Sequence, residues 1–228
     1  MYKVMIVGHG FVGSAVASLF SEKEKVIVDP KFSDSKISDN PGIPFDAVFV
    51  SVDTPKAEGF KLLDSILQEL DYNMVEGTPV CCKSTATPEF YYNVSQKYKN
   101  IKIVHSPEYL NKSNPIKMFQ GQKFFIIGGD EHAAMTVGHI FKSRLNHVKK
   151  IRYTDIRTAA MVKYSENAFL ATKVTFFNEL YKMYKSQGCE ASYEEFAEMV
   201  GLDERCLLYT SDAADEGLGV DLGGRRII

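Results

Sequence analysis

Apolar positions along this chain fall into two rhythms. Short runs rich in valine, isoleucine and phenylalanine cover residues 2–7, 25–30, 46–52, 78–85, 101–107, 123–129 and 148–154. Runs of this length, closed by turn-forming residues, read as strands buried on both faces. Between them, apolar residues recur three and four apart over 61–75, from about 88 to 98, and over 131–145, which predicts amphipathic helices. Strands alternating with helices imply an α/β fold, a doubly wound, mostly parallel sheet of the Rossmann type. The stretch MVKYSENAFLATKVTFFNEL, residues 161–180, has the spacing of a single long helix, and a further helical pattern covers 192–205. The organisation expected is a Rossmann-type domain over 1–152, a long central helix with the start of a helical region over 153–205, and a separate tail over 206–228.

The first strand runs into GHGFVG, which places Gly8, Gly10 and Gly13 in the pattern G-x-G-x-x-G between a strand and a small-residue helix. In that context the first glycine permits a tight turn. The second lets backbone approach a pyrophosphate, and the third lets the helix lie close on the sheet. The helix N-terminus supplies unpaired N–H groups for phosphate. Asp29 closes the second strand about 20 residues further on, where this fold binds the adenosine ribose. An aspartate there accepts from a 2′-hydroxyl and repels a 2′-phosphate, so NAD is expected over NADP, with Lys31 close enough to blur the preference.

Three other strands end in groups fit for a ligand: Ser51-Val52-Asp53-Thr54-Pro55, Lys83-Ser84-Thr85 and Ser106-Pro107-Glu108. Each alone reads as a turn or helix cap. Together, at the strand ends where open α/β sheets bind ligands, they favour a site. In the long helix, Lys163 and Asn167 are four apart and share a face. Either a bound anion or sugar matches them, or that face is half exposed and solvated.

Composition narrows the field. The chain has 228 residues, 45% hydrophobic and 25% charged, with a formal net charge of −2. That is ample for one α/β domain with its own core and part of a second unit. No basic tract points to nucleic acid, and the apolar runs are too short for a membrane span. The N-terminus enters a core strand directly, so no signal peptide is expected. The four cysteines include no C-x-x-C pair, and Cys81 and Cys82 adjoin in a predicted strand. A reduced, cytoplasmic protein without a metal site is expected.

In order, the chain carries GHGFVG, SVDTP, KST, PEYL and KYSENAFLATK followed by NE. This succession resembles the UDP-glucose/GDP-mannose dehydrogenase family from residue 1 to about 205. The resemblance implies an NAD-dependent, four-electron oxidation of a nucleotide sugar at C6, UDP-glucose to UDP-glucuronate before GDP-mannose or a UDP-N-acetyl-hexosamine. It implies a homodimer formed through the central helix and a use in polysaccharide synthesis. By position, Gly8, Gly10, Phe11, Val12 and Gly13 would hold the pyrophosphate and Asp29 the ribose. Thr54 and Thr85 would line the nicotinamide side. Glu108 would serve as general base or water-positioning group, with Tyr109 and Leu110 beside the substrate. Lys163 and Asn167 would hold the C6 oxygen as charge develops on it. Asn178 and Glu179 are expected to be structural.

Two departures qualify this. Where the family has a second glutamate four residues after the first, this chain has Lys112. The family's nucleophilic cysteine, in a glycine-rich segment after the central helix, has no counterpart, and Cys206 lacks that setting. Residues 206–228, CLLYTSDAADEGLGVDLGGRRII, resemble a translation of two adapters used in short-read sequencing libraries. They are expected to be non-native, the natural protein being cut near Arg205. Two other readings are an NAD-binding module without turnover and a β-hydroxyacid or 6-phosphogluconate type of dehydrogenase. SVDTP, KST, PEYL and the Lys163/Asn167 spacing argue against the latter.

Overall fold

The computed structural model describes residues 1–55, 59–110 and 113–203. Lys56, Lys112 and Cys206 lie outside the described residues, as does 206–228. The chain divides into two compact units, one of Met1–Leu110 with Asn114–Tyr164 and one of Asn111–Ser113 with Ser165–Ile228.

The first unit is built on a seven-stranded sheet of β1 (Val4–Val7), β2 (Lys25–Val28), β3 (Ala47–Val50), β4 (Pro79–Cys82), β5 (Lys102–His105), β6 (Phe124–Gly129) and β7 (Lys150–Thr154), in the order β2-β1-β3-β4-β5-β6-β7. All seven fall inside the apolar runs of the sequence. The first five are parallel, so their exits share one edge of the sheet. Alternate residues of a strand face opposite sides, and the core divides accordingly. Val4 and Ile6 join Phe49, Phe125 and Phe141 on one face, under α1 (Phe11–Ala17), α4 (Pro115–Gly121) and α5 (Glu131–Arg144). Met5 and Val7 join Leu63, Leu67, Tyr91 and Ile156 on the other, under α2 (Lys61–Asn73), α3 (Pro88–Lys97) and the start of α6 (Ile156–Ser186). Helices on both faces make the sheet doubly wound.

The parallel order breaks once. β6 runs antiparallel to β5, with Val104 against Gly129, while β7 is parallel to β6. Among its described residues the link between β5 and β6 holds one helix, the seven-residue α4, which climbs about 10 Å, and β6 starts at the edge where β5 ended. β7 consequently ends at the far edge, and α6 returns across the sheet. Its start is capped by Asp155, whose carboxylate accepts from the Thr158 N–H at 2.9 Å and from its hydroxyl at 2.5 Å. Gly128 permits the crossing, because a Cβ there would meet the Asp155 carbonyl and the Ala159 methyl. Ala159 and Ala160 are fully buried, and one turn further on Lys163 arrives at the strand exits.

The second unit contains the rest of α6 and α7 (Tyr193–Gly201). Ser192 and Glu195 form a capping box at the start of α7. The Tyr193 hydroxyl donates to the Phe177 carbonyl at 2.8 Å, and the Tyr193 ring packs edge-on against Tyr181 at 4.9 Å. Among the described residues no helix is long and apolar enough to cross a membrane.

Candidate functional site

The exits of β1 to β5 are laced together. Gly8, with φ of +84°, turns the chain out of β1 where a Cβ would strike the Ser51 carbonyl at 2.6 Å. A Cβ on Gly13 would fall on the Gly8 carbonyl oxygen, so α1 packs on its own loop as only glycine allows. Gly10 has open space where its Cβ would be, and it caps α1 with no side chain over the helix end. Asp29 accepts from the His9 N–H at 2.7 Å and the Lys31 N–H at 2.9 Å. Burial pushes its pKa up, and these two donors outweigh it, so the carboxylate is held below its ordinary range. It is thereby fixed, ionised, beside the glycine loop.

The next exits interlock side chain to backbone. Ser84 Oγ accepts from the Val52 N–H at 3.0 Å and donates to the Val52 carbonyl at 2.7 Å. Thr54 Oγ1 donates to the Thr85 carbonyl at 2.7 Å. Lys83 is 1% exposed, and its ammonium donates to Ser106 Oγ and the Pro107 carbonyl, both at 3.3 Å. Beyond β5, Glu108 Oε2 accepts from the Leu110 N–H at 2.7 Å, which folds the carboxylate back over its own loop. Lys163 then closes the row. Its Nζ donates to the Glu108 carbonyl at 2.6 Å and pairs with Glu108 Oε1 at 3.3 Å, 5.3 Å from the centre of the Tyr109 ring.

These exits surround a pocket of about 290 Å³ whose walls include Gly10, Phe11, Val12, Thr54, Thr85 and Glu108. The structure thus brings together candidates from four separate segments in the pocket wall, and Lys163 adds a fifth through Glu108. Tyr109 packs against Phe124 at 4.9 Å, and Leu110 leans on the core under α1 and α5. Asn167 lies in the second unit and is exposed, and Asn178 is half-buried.

Sequence reasoning assigned no role to Lys83 or His9. A lysine in a strand otherwise uncharged (PVCCKST) is the signal for the first. Nothing in the sequence ties His9 to Asp29, since their contact runs through backbone. His105 is buried, stacked on Tyr91 at 4.3 Å, with Nδ1 donating to the Cys82 carbonyl at 2.9 Å. Burial pushes its pKa down to about 3, so it is a neutral core group.

The glycine loop, the anchored Asp29 carboxylate beside it and the pocket over the strand exits define an α/β protein of the Rossmann type. The sequence pattern of the UDP-glucose/GDP-mannose dehydrogenase family, central domain, matches residues 157–225. The UDP-glucose 6-dehydrogenase YwqF of Bacillus subtilis is 31% identical over 172 residues, which cover 70% of this chain and 38% of that protein. Among solved structures, a UDP-D-ManNAc dehydrogenase from Pyrococcus horikoshii matches with a TM-score of 0.75 at 18% identity, over 91% of this chain and 59% of that one. A UDP-glucose dehydrogenase from Pyrobaculum islandicum matches with a TM-score of 0.74 at 20% identity, over 90% of this chain and 57% of that one. Over 70% of its length the chain is similar to members of the UDP-glucose/GDP-mannose dehydrogenase family. It spans about two fifths of the length of the curated relatives it matches.

Proposed function

We propose that this chain carries the cofactor site and part of the reaction site of an NAD-dependent nucleotide-sugar 6-dehydrogenase that oxidises UDP-glucose to UDP-glucuronate. The observation that carries the reading is the Glu108–Lys163 pair, 3.3 Å apart, with Glu108 in the wall of a pocket that the glycine loop, Thr54 and Thr85 also line.

A dinucleotide fits the residues present. Gly10 leaves open space for a pyrophosphate, and Asp29 is ionised and anchored for a ribose hydroxyl. Phe11, Val12 and Gly13 complete the phosphate side, and Thr54 and Thr85 the nicotinamide side. When bound, NAD supplies the acceptor for the hydride that leaves C6. The protein's work is orientation and charge. Lys163 points an ammonium at the C6 oxygen and stabilises the negative charge that develops there. Glu108 holds that ammonium in place and, in the final hydrolysis, takes a proton from the attacking water. The roles of Asn167, Tyr109 and Leu110 rest on the family resemblance alone.

UDP-glucose is favoured over GDP-mannose and UDP-N-acetyl-hexosamines because the Bacillus relative bears that name. A cytoplasmic homodimer formed through α6 completes the proposal, with 206–228 as a non-native tail on a shortened chain. Long-read sequencing of the source DNA across codon 205, followed by assay of the protein it encodes, tests it. That protein should form two NADH per UDP-glucose, and Lys163→Ala should lower its maximal rate by about 10²–10³-fold. Reading into the same 206–228 sequence and a stop, with no turnover, would leave an NAD-binding module.

A further inference from the structure

Lys83 has no part in that reading, yet among the described residues it is the most deeply buried lysine, 1% exposed against 9% for Lys163. Its ammonium rests among the rings of Phe119, Phe125 and Phe141, 5.5–5.7 Å from their centres, and donates to two neutral oxygens. Aromatic faces attract a cation, but weakly beside what water supplies. Among the described residues no carboxylate lies within ion-pair distance of it. The carboxylate that faces it, Glu108, is already paired with Lys163 at 3.3 Å. Cys81, two residues back on β4, shares its face, and burial keeps that thiol neutral, pushed up to about 12; His105 on β5 lies on the other face of the sheet, beside Cys82 and Tyr91. Lys163, reaching in from α6, adds repulsion. This under-compensated cation lines the same pocket as Thr54, Thr85 and Glu108.

The two redox forms of a nicotinamide dinucleotide differ by one positive charge, carried on the ring. A ring placed in this pocket therefore adds a third cation beside Lys83 and Lys163, where the lining carboxylates are Glu108, already paired with Lys163, and Asp53, which makes no ion pair with Lys83. We propose that Lys83 is the group that yields: entry of the oxidised, cationic ring drives a proton off the Lys83 ammonium into solvent, and the uncharged reduced ring lets the proton stay. No other bond changes and no electron moves. Lys163 has the carboxylate and the carbonyl of Glu108 as partners, where Lys83 has only neutral ones. Burial already brings Lys83 down to about 8, with Glu108 opposing and Lys163 adding to the fall, so the proton is available near neutral pH. The inference rests on the dinucleotide reading of the pocket.

The sign follows from linkage. Below about pH 8 the free protein holds the Lys83 proton and must release it to bind NAD+. Affinity for NAD+ therefore rises with pH toward that value, by at most about tenfold per pH unit, while affinity for NADH stays level. Groups at the adenosine end, His9, Lys31 and Asp29, meet both forms alike and cancel in the ratio.

Calorimetry on the full chain at pH 7, in phosphate and in Tris, counts the protons exchanged on binding. The expected result is proton release with NAD+ and none with NADH. Equal proton counts for the two forms would overturn the inference, with no variant needed. In folded Lys83→Met the ratio of NAD+ to NADH affinity should be flat from pH 6.5 to 9, where the parent chain shows at least a severalfold rise. A slope retained in that variant would assign the proton elsewhere and overturn it equally. If neither nucleotide binds, the dinucleotide reading falls and takes this inference with it. Binding of both forms with identical proton counts removes this inference alone.

Discussion

Glycines 10 and 13 stand three residues apart and do different work. Gly13 is a packing residue, since any side chain there meets the Gly8 carbonyl. Gly13→Ala should destabilise the first unit by about 1–3 kcal/mol, as overpacking does, read as a lower midpoint in urea. Asp29 is proposed as a recognition residue. Its anchored negative charge should favour NAD over NADP, and Asp29→Ala should narrow that preference by at least tenfold in competition binding, chiefly through better NADP binding. Titration enters through His105. It is neutral when folded, with a pKa near 3, but takes a proton in the unfolded chain near 6.5. The unfolded state binds the extra proton between those values, so stability is full above pH 6.5 and falls on acidification toward 3, by at most about 1.4 kcal/mol per pH unit. His105→Asn, which keeps a donor near the Cys82 carbonyl, should flatten thermal stability between pH 6 and 4 relative to the parent. At this scale the sequence made much of the site legible, because glycine spacing and strand-end hydroxyls are local signals. It marked Lys83 only as part of a strand-end cluster, without a role, and left His9 silent. Their importance comes from neighbours on other strands, Ser106 and Asp29, which no local pattern connects.

The strands were the most legible elements, since a strand buried on both faces must be apolar throughout. Direction was less so. β6 reads like its neighbours, and its reversal comes from a short connection that never recrosses the sheet. α4 itself escaped, because seven residues give too few turns for a periodic signal. The helix seen over 161–180 extends from Ile156 to Ser186; in its first turns the buried stripe is Ile156, Ala159, Ala160 and Lys163, and two small alanines and a lysine make a weak apolar signal. That opening segment carries Lys163 to Glu108, and it depends on Gly128. Gly128→Ala should force α6 off β6. Dinucleotide binding should weaken with loss of the Lys163–Glu108 contact, and protection of the Lys163 amide from hydrogen exchange should fall severalfold. Unchanged exchange there would mean that α6 is seated by other contacts.

Across the molecule, one principle links the parts described. The first unit gathers five strand exits at one edge and ties them in sequence: Asp29 to His9, Ser84 to Val52, Thr54 to Thr85, Lys83 to Ser106 and Pro107, Lys163 to Glu108. Few of these ties are needed to close the core, which is apolar on both faces of the sheet. They fix the shape of a pocket. The central claim is that this pocket holds a nicotinamide dinucleotide, with Gly10 kept small for the ligand and not for the fold. Gly10→Val tests it most directly, because a Cβ there meets no protein atom within 4 Å. Titrating NADH into the full chain should give saturable fluorescence enhancement. The variant should melt at the parent's temperature and lose that response by at least tenfold in affinity. NADH binding equally well to folded Gly10→Val would contradict the account.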